Sequence, residues 1–186
     1  MSLLHPLLAR LPARRTALKW LHWVMVPLFI WFLLVQPKDV TPFGPAAFQA
    51  HSILALIFVS LSLAWFADLM RRGLASRPGP KLTGRLRNLH RAMHLTLIWG
   101  LFFVAVTGFL LGLTSAVLLK AGGFLPIAPP MGWREANDIV GQVHIIEFYA
   151  LGVVAGGHAL FHIWRHYRLR DNALRIMVPK RLHKYL

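Results

Sequence analysis

The stretch VHIIEFYALGVVAGGHALFHIW, from Val143 to Trp164, decides the fold. It is apolar, and it is long enough to cross the hydrocarbon core of a bilayer, which takes about 20 helical residues. Nevertheless, it contains four ionisable side chains: His144, Glu147, His158 and His162. Such groups are costly inside a membrane unless they have partners, so they mark functional positions.

Three more segments of the chain have the same apolar character. The chain has 186 residues, of which 56% are hydrophobic. We expect four membrane spans, at about residues 18–35, 48–70, 90–113 and 139–164. The sequence therefore predicts an all-α integral membrane protein, folded as a single four-helix bundle in contact with the lipid bilayer.

The basic residues are unevenly distributed. Of the 21 Lys and Arg, all but three lie around the start of the first span, around the link between spans two and three, or after the fourth span. The three exceptions are Lys38, Lys120 and Arg134. This distribution follows the positive-inside rule and predicts that both termini are cytoplasmic. We expect the net charge of +15 to face anionic lipid headgroups, and we do not expect nucleic-acid binding.

The chain has no cysteine. This excludes disulfides, iron–sulfur clusters held by thiolates and the covalent attachment of c-type haem.

Seven of the ten histidines lie in or at the edges of the expected spans. They are His22, His51, His90, His94, His144, His158 and His162. The interval from His144 to His158 corresponds to about 21 Å of helix rise, and the two residues lie within about 40° of the same helix face. They therefore lie at two depths, one in each leaflet. His162 is about 27 Å from His144, which extends to the headgroups, so this geometry favours His158.

The other spans place histidines at the same two depths. His51 lies early in the second span, at the level of His144, and His22 lies early in the first span, at the level of His158. Two facing imidazoles in a bundle core are the axial ligands that a b-type haem needs. His94 competes with His22 at the inner level. Nearby small residues leave room for a porphyrin: Gly108, Gly141, Gly152, Gly156 and Gly157.

A different class of function uses the same histidines. A haem-free proton or metal transporter also needs ionisable groups inside the membrane. Two-metal carboxylate sites, however, need several acidic ligands, and the spans offer only Glu147 and, at one end, Asp68. Glu147 itself has three open roles: orienting an imidazole, accepting a proton or facing the outer interface. The Pro-rich segment 114–138 is either a lid or a lipid-contacting connector.

Several motifs resemble those of the bacterial cytochrome b-561 family over nearly the whole chain. They are LHW at Leu21–Trp23, the early His51, LTGRLRNLHRAMHL before Gly108, the interval from His144 to His158, and the tail HYRLRDNALRIMVPKR. Ala55 and Trp65 depart from the pattern, since many members have Gly and Arg there.

The resemblance implies a multi-pass protein of the bacterial inner membrane with two haem b groups. His22 and His158 would ligate the inner haem iron, and His51 and His144 the outer one, which favours His22 over His94. The implied activity is that of a superoxide:ubiquinone oxidoreductase, with electrons passing from periplasmic superoxide to ubiquinone. Other members are electron carriers, so a periplasmic redox protein is the alternative donor. Three further histidines are candidate contacts for the quinone or for haem propionates: His94, His162 and His166.

Overall fold

The computed structural model describes residues 13–178 and 180–185, so Arg10 of the basic N-terminal segment lies outside the described residues. Four long helices form the protein: α1 (Arg14–Leu34), α3 (Pro45–Arg72), α4 (Gly84–Thr114) and α5 (Arg134–Trp164). Each is long and apolar enough to cross a membrane. The predicted all-α four-helix membrane fold is confirmed.

The apolar side chains of these helices mostly face outward. Val153, Leu160 and Ile146 are 78%, 68% and 67% exposed, respectively. The interior is narrow by comparison, and its central cluster consists of Met25, Phe58, Leu101, Val104 and Leu151. Lipid tails are as apolar as leucine, so an outward apolar surface is stable in a bilayer but not in water.

Glycines bring the helices close together. A Cβ atom added to Gly100 would lie 2.5 Å from the Leu151 Cδ1 atom, so α4 and α5 could not keep this separation with alanine there. Similarly, a Cβ on Gly152 would lie 3.0 Å from the Leu33 Cδ1 atom. Small residues at helix contacts are the usual means of close packing in membranes. The α4–α5 pair forms the most extensive contact in the bundle.

Both ends of the described chain meet the α3–α4 link at one end of the bundle, which we call the basic end. After α5 the chain makes a π-helical turn (Arg165–Leu169), then α6 (Ala173–Met177) and a 3₁₀ turn (Lys180–Tyr185). The Lys19 ammonium donates to the Val178 carbonyl at 2.7 Å, and the Trp23 indole donates to the Met177 carbonyl at 2.7 Å. These bonds fasten the tail to α1.

A fully buried ion pair lies at the centre of the basic end. The Arg165 guanidinium donates to the Asp171 carboxylate at 2.6 Å, and both side chains are 1% exposed. The α3–α4 link packs directly on the pair, because a Cβ on Gly79 would lie 3.0 Å from Arg165 Nη2. By contrast, the Arg14–Asp68 pair, which joins α1 to α3, is partly open to solvent.

The opposite end carries a small β-hairpin, and we call it the hairpin end. Strands β1 (Leu119–Ala121) and β2 (Leu125–Ala128) pair in antiparallel fashion. Gly122 and Gly123 form the turn with φ values of +58° and +76°, which favour glycine. The Gln49 side-chain amide of α3 donates to the Gly122 carbonyl. The first link at this end contains the short helix α2 (Pro37–Val40) and a 3₁₀ turn (Thr41–Phe43).

Candidate functional site

His144 has a defined hydrogen-bond partner near the hairpin end. Its Nδ1 atom lies 2.9 Å from the Thr107 hydroxyl of α4, and that hydroxyl donates to the Glu147 carboxylate at 2.8 Å. The hydroxyl's single proton can go to the Glu147 carboxylate or to the carbonyls of Phe103 and Val104, and in each of these cases the His144 Nδ1–H is the donor to Thr107. The lone pair of His144 is therefore on Nε2, which is the atom that a metal would take.

Gly108 provides the space that the His144 ring occupies. A Cβ atom at Gly108 would lie 3.1 Å from the His144 Cε1 atom and 3.7 Å from Nδ1. The first contact is tighter than an ordinary van der Waals contact, so any larger residue would displace the ring. Thr107 and Gly108 together fix where the His144 imidazole lies.

His51 is buried on α3 but has the opposite tautomer. The indole Nε1–H of Trp31 points to the His51 Nδ1 atom at 3.2 Å. An indole nitrogen can only donate, so His51 accepts at Nδ1 and carries its proton on Nε2. Ligation of iron through Nε2 requires release of this Trp31 bond and a shift of the proton to Nδ1.

The rings of His51 and His144 are linked through phenylalanines and make no direct ring contact with each other. Phe32 lies 5.0 Å from His51, and Phe148 lies 6.4 Å from His144, both between ring centroids. Phe58 contacts both phenyl rings, at 5.6 Å and 6.4 Å. Aromatic rings therefore occupy the region between the two histidines.

Four histidines cluster at the level nearer the basic end. The ring centroids of His94 and His158 are 4.6 Å apart, and those of His158 and His162 are 4.5 Å apart. His90 joins them with its centroid 4.3 Å from that of His94. Neutral imidazoles packed at this spacing offer several nitrogen donors in a small volume.

His22 lies on α1 beside this cluster. Its ring makes edge contacts with Trp23 and Trp65, each at 6.2 Å between centroids. Trp65 therefore occupies the neighbourhood of the predicted inner ligand. The Nδ1 atoms of His22 and His158 are buried and have no hydrogen-bond partner among the described residues. Buried polar atoms normally find partners, so both rings fit a site that a bound group completes.

His166 is buried on the π-helical turn. Its Nδ1 atom also has no hydrogen-bond partner among the described residues, and its ring packs at 5.1 Å on Tyr167. Among the described residues, the His166 ring makes no ring contact with His94 or His162. The structure therefore brings His94 and His162 together and leaves His166 apart from them.

Two contributing residues were not predicted as site residues from the sequence. His90 and His94 are four residues apart in HRAMH, a spacing that places both on one helix face. This spacing could have indicated His90 as a site residue beside His94. No sequence pattern indicated Thr107 as a site residue, because its role depends on how α4 is rotated toward α5.

Each end of the bundle also contains a cavity. The cavity at the hairpin end has a volume of about 490 Å³ and reaches His51, with Trp31, Phe43 and Asp39 in its wall. The cavity at the basic end measures about 320 Å³ and includes Ser76 and Arg91. Small molecules therefore have a recess at both ends.

Comparison with known proteins gives one family. A family model described as prokaryotic cytochrome b561 matches residues 13–180. A search of curated proteins found no match. The matched region contains all four long helices and every histidine discussed above.

Proposed function

The chain belongs to the prokaryotic cytochrome b561 family and is thus a bacterial membrane electron-transfer protein with b-type haem; on this premise we propose that it holds two haem b groups and links a donor at the hairpin end to ubiquinone. Bound haem supplies the one-electron iron couple. The chain supplies axial ligands, access for the reactants and protons. Since the family carries haem, a haem-free transporter is set aside.

We assign the ligands as two pairs, His22 with His158 and His51 with His144. The observation that carries this proposal is the His144–Thr107 bond, which leaves the Nε2 lone pair of a membrane histidine free. The unpartnered Nδ1 atoms of His22 and His158 support the second pair.

Superoxide is the proposed electron donor, and the hairpin end faces the periplasm in this proposal. Lys38, Lys120 and Arg134 are exposed there, and none of them forms an ion pair within the described residues. The nearby Asp39 carboxylate accepts the Gln36 backbone N–H at 2.8 Å, which directs it toward the start of α2. Exposed cations favour the approach of an anion. The carboxylates of Asp39, Glu135 and Asp138 equal these cations in number, so the proposal requires the cations to converge and the carboxylates to point away.

The proposed reaction balances over two electrons. Two superoxide ions each lose one electron and become oxygen. One ubiquinone takes these two electrons and two protons and becomes ubiquinol. The two protons for the reduction of ubiquinone come from the basic end. We place the quinone there against His94 and His162, with His166 as a further candidate contact. The unpartnered Nε2 of His162 and Nδ1 of His166 suit a quinone carbonyl or a haem propionate.

Haem analysis of the purified protein tests the ligand assignment. We expect two non-covalent b haems per chain by pyridine haemochrome. His51→Ala and His144→Ala should each remove the same haem, and His22→Ala and His158→Ala the other. A single haem in the parent protein, or loss of different haems within one pair, contradicts the assignment.

Stopped-flow mixing tests the donor. Superoxide should reduce the haems rapidly, more slowly at high salt, and more slowly still in a Lys120→Glu, Arg134→Glu variant. If superoxide leaves the haems oxidised while a reduced periplasmic cytochrome reduces them, the protein is an electron-transfer subunit for a redox partner. Unchanged quinone reduction in the alanine variants of His94, His162 and His166 would place the quinone elsewhere.

A further inference from the structure

Three histidines at the basic end form a cluster, and none of them is a proposed ligand of either haem iron. His90, His94 and His162 each present a ring nitrogen, and these three atoms all lie within 4.8 Å of one another. His90 and His94 are one turn apart on α4, and His162 faces them from α5. The cluster thus joins the two helices that pack most closely in the bundle.

Hydrogen bonds determine which nitrogens are free. The His94 Nδ1–H donates to the His90 carbonyl at 2.7 Å, so the lone pair of His94 is on Nε2. His90 Nε2 lies 3.3 Å from the Ser76 hydroxyl, while its Nδ1 has no hydrogen-bond partner among the described residues. The same holds for Nε2 of His162. In the tautomers that carry the proton on Nδ1 of His94 and His162 and on Nε2 of His90, each ring offers one unused lone pair.

Burial makes the unused nitrogen of His90 significant. The His90 side chain is 1% exposed, the lowest exposure of any described histidine. A buried polar atom without a partner destabilises the fold, so a bound group that accepts the lone pair would stabilise it. His90 belongs to neither proposed haem pair and to none of the proposed quinone contacts. His94 and His162 are proposed quinone contacts, and a metal ion needs the lone pairs of the ring nitrogens that would carry protons toward a quinone carbonyl, so the two ligands exclude each other at these rings.

We propose that His90, His94 and His162 bind a divalent transition-metal ion of the zinc type, separate from the haem irons. Three neutral imidazoles are a common ligand set for zinc, which binds nitrogen at about 2.0–2.1 Å and leaves a fourth position for water. Tetrahedral geometry places the nitrogens about 3.4 Å apart, so modest ring rotation from the present spacing closes the site.

The surroundings of the cluster suit this assignment. When a metal ion takes the lone pair of His90 Nδ1, the Ser76 hydroxyl is placed to accept from Nε2–H and would fix the ring, as carbonyls do for metal-bound histidines. The nearby Arg165 is neutralised by its buried ion pair with Asp171. Ser76, which contacts His90, also lines the cavity at the basic end.

Zinc titration of the haem-loaded protein tests the proposal. The protein is purified without a histidine tag, stripped with a chelator and titrated with Zn²⁺ by calorimetry, and zinc and haem contents are measured after desalting. We expect one zinc per chain and three nitrogen neighbours by X-ray absorption. His90→Gln should weaken binding by at least about 100-fold, since loss of even an indirect partner costs 10–100-fold.

The matched control is His183→Gln. His183 is another basic-end histidine, whose ring hydrogen-bonds to the Val178 carbonyl outside the cluster, and its loss should leave zinc binding unchanged. Equal zinc binding by the parent protein and His90→Gln overturns the site. Loss of haem absorbance during the zinc titration, or loss of a haem in His90→Gln, also overturns it, because the cluster would then be part of a haem site.

Discussion

Thr107 of α4 holds the imidazole of His144, which lies on the neighbouring helix α5. Its hydroxyl accepts from His144 Nδ1 and donates to Glu147, so one side chain of α4 sets both the tautomer and the orientation of a ring on α5. Of the three roles that the sequence left open for Glu147, this hydrogen bond favours the orienting one. Glu147 acts on the imidazole through Thr107 and not directly.

Thr107→Val should therefore weaken the hold of His144 on its proposed haem. Valine keeps the shape and removes the hydroxyl, and loss of such a supporting bond typically costs about 10-fold in affinity. The measurement is haem transfer to apomyoglobin, together with the midpoint potential of that haem. Thr107→Ser keeps the hydroxyl and should behave like the parent protein. Identical haem retention in the valine and serine variants would show that the bond has no supporting role.

The buried and the partly exposed ion pairs of the basic end should differ sharply in how much they stabilise the fold. Asp171→Asn leaves Arg165 buried without its counter-charge, which typically costs about 3–5 kcal/mol. Asp68→Asn disturbs the partly exposed pairs of Asp68 with Arg14 and Arg72, for which about 1 kcal/mol or less each is expected. Thermal unfolding in detergent compares the two variants. Equal losses of stability would contradict the burial argument.

At the scale of the elements, the hairpin end shows the limit of what the sequence predicts. Residues 114–138 were expected to form either a lid or a connector, yet they contain two paired strands. The strands Leu119–Ala121 and Leu125–Ala128 are joined by Gly122, Gly123 and Phe124, and a short connection that contains Gly is a recognisable hairpin pattern. The hydrogen bond from Gln49 has no sequence pattern, because it depends on where the hairpin docks against α3.

For the helices and the histidines, too, some features can be predicted from the sequence and others depend on contacts between helices. Four long apolar segments suffice to predict four helices, since a bilayer forces backbone hydrogen bonds to close within each segment. Because the fourth segment must be helical for the same reason, the interval from His144 to His158 predicts that both residues lie on one helix face. The tautomer of His51 could not be predicted, because Trp31 comes from a different helix.

Gln49→Leu should loosen the hairpin. It removes the side-chain bond to the Gly122 carbonyl, worth about 1 kcal/mol, which corresponds to roughly fivefold faster opening. Hydrogen exchange of the amides in residues 119–128 measures the effect. Gln36→Leu is the control, because Gln36 bonds to Tyr149 at the same end and makes no hydrogen bond to the hairpin in the described structure. Equal exchange in both variants would mean that the hairpin is held by its apolar contacts alone.

For the whole molecule, charge should decide orientation. The basic end holds the α3–α4 link and the described ends of the chain, so the positive-inside rule places it in the cytoplasm. Fluorescent-protein fusions at either terminus should fluoresce, and alkaline phosphatase inserted between Gly122 and Gly123 should be active. A phosphatase fusion in the α3–α4 link is the inactive control. The reverse pattern of activities would invert the proposed direction of electron transfer.

The bonds from α1 to the tail also bear on how the molecule is made. Lys19 and Trp23 are synthesised before the residues whose carbonyls accept from them, Val178 and Met177. During synthesis, these two donors of α1 therefore have no partner in the tail until α5 has been made. A nascent chain halted before Met177 lacks both bonds, so the attachment of the tail to α1 forms only after the four long helices are complete.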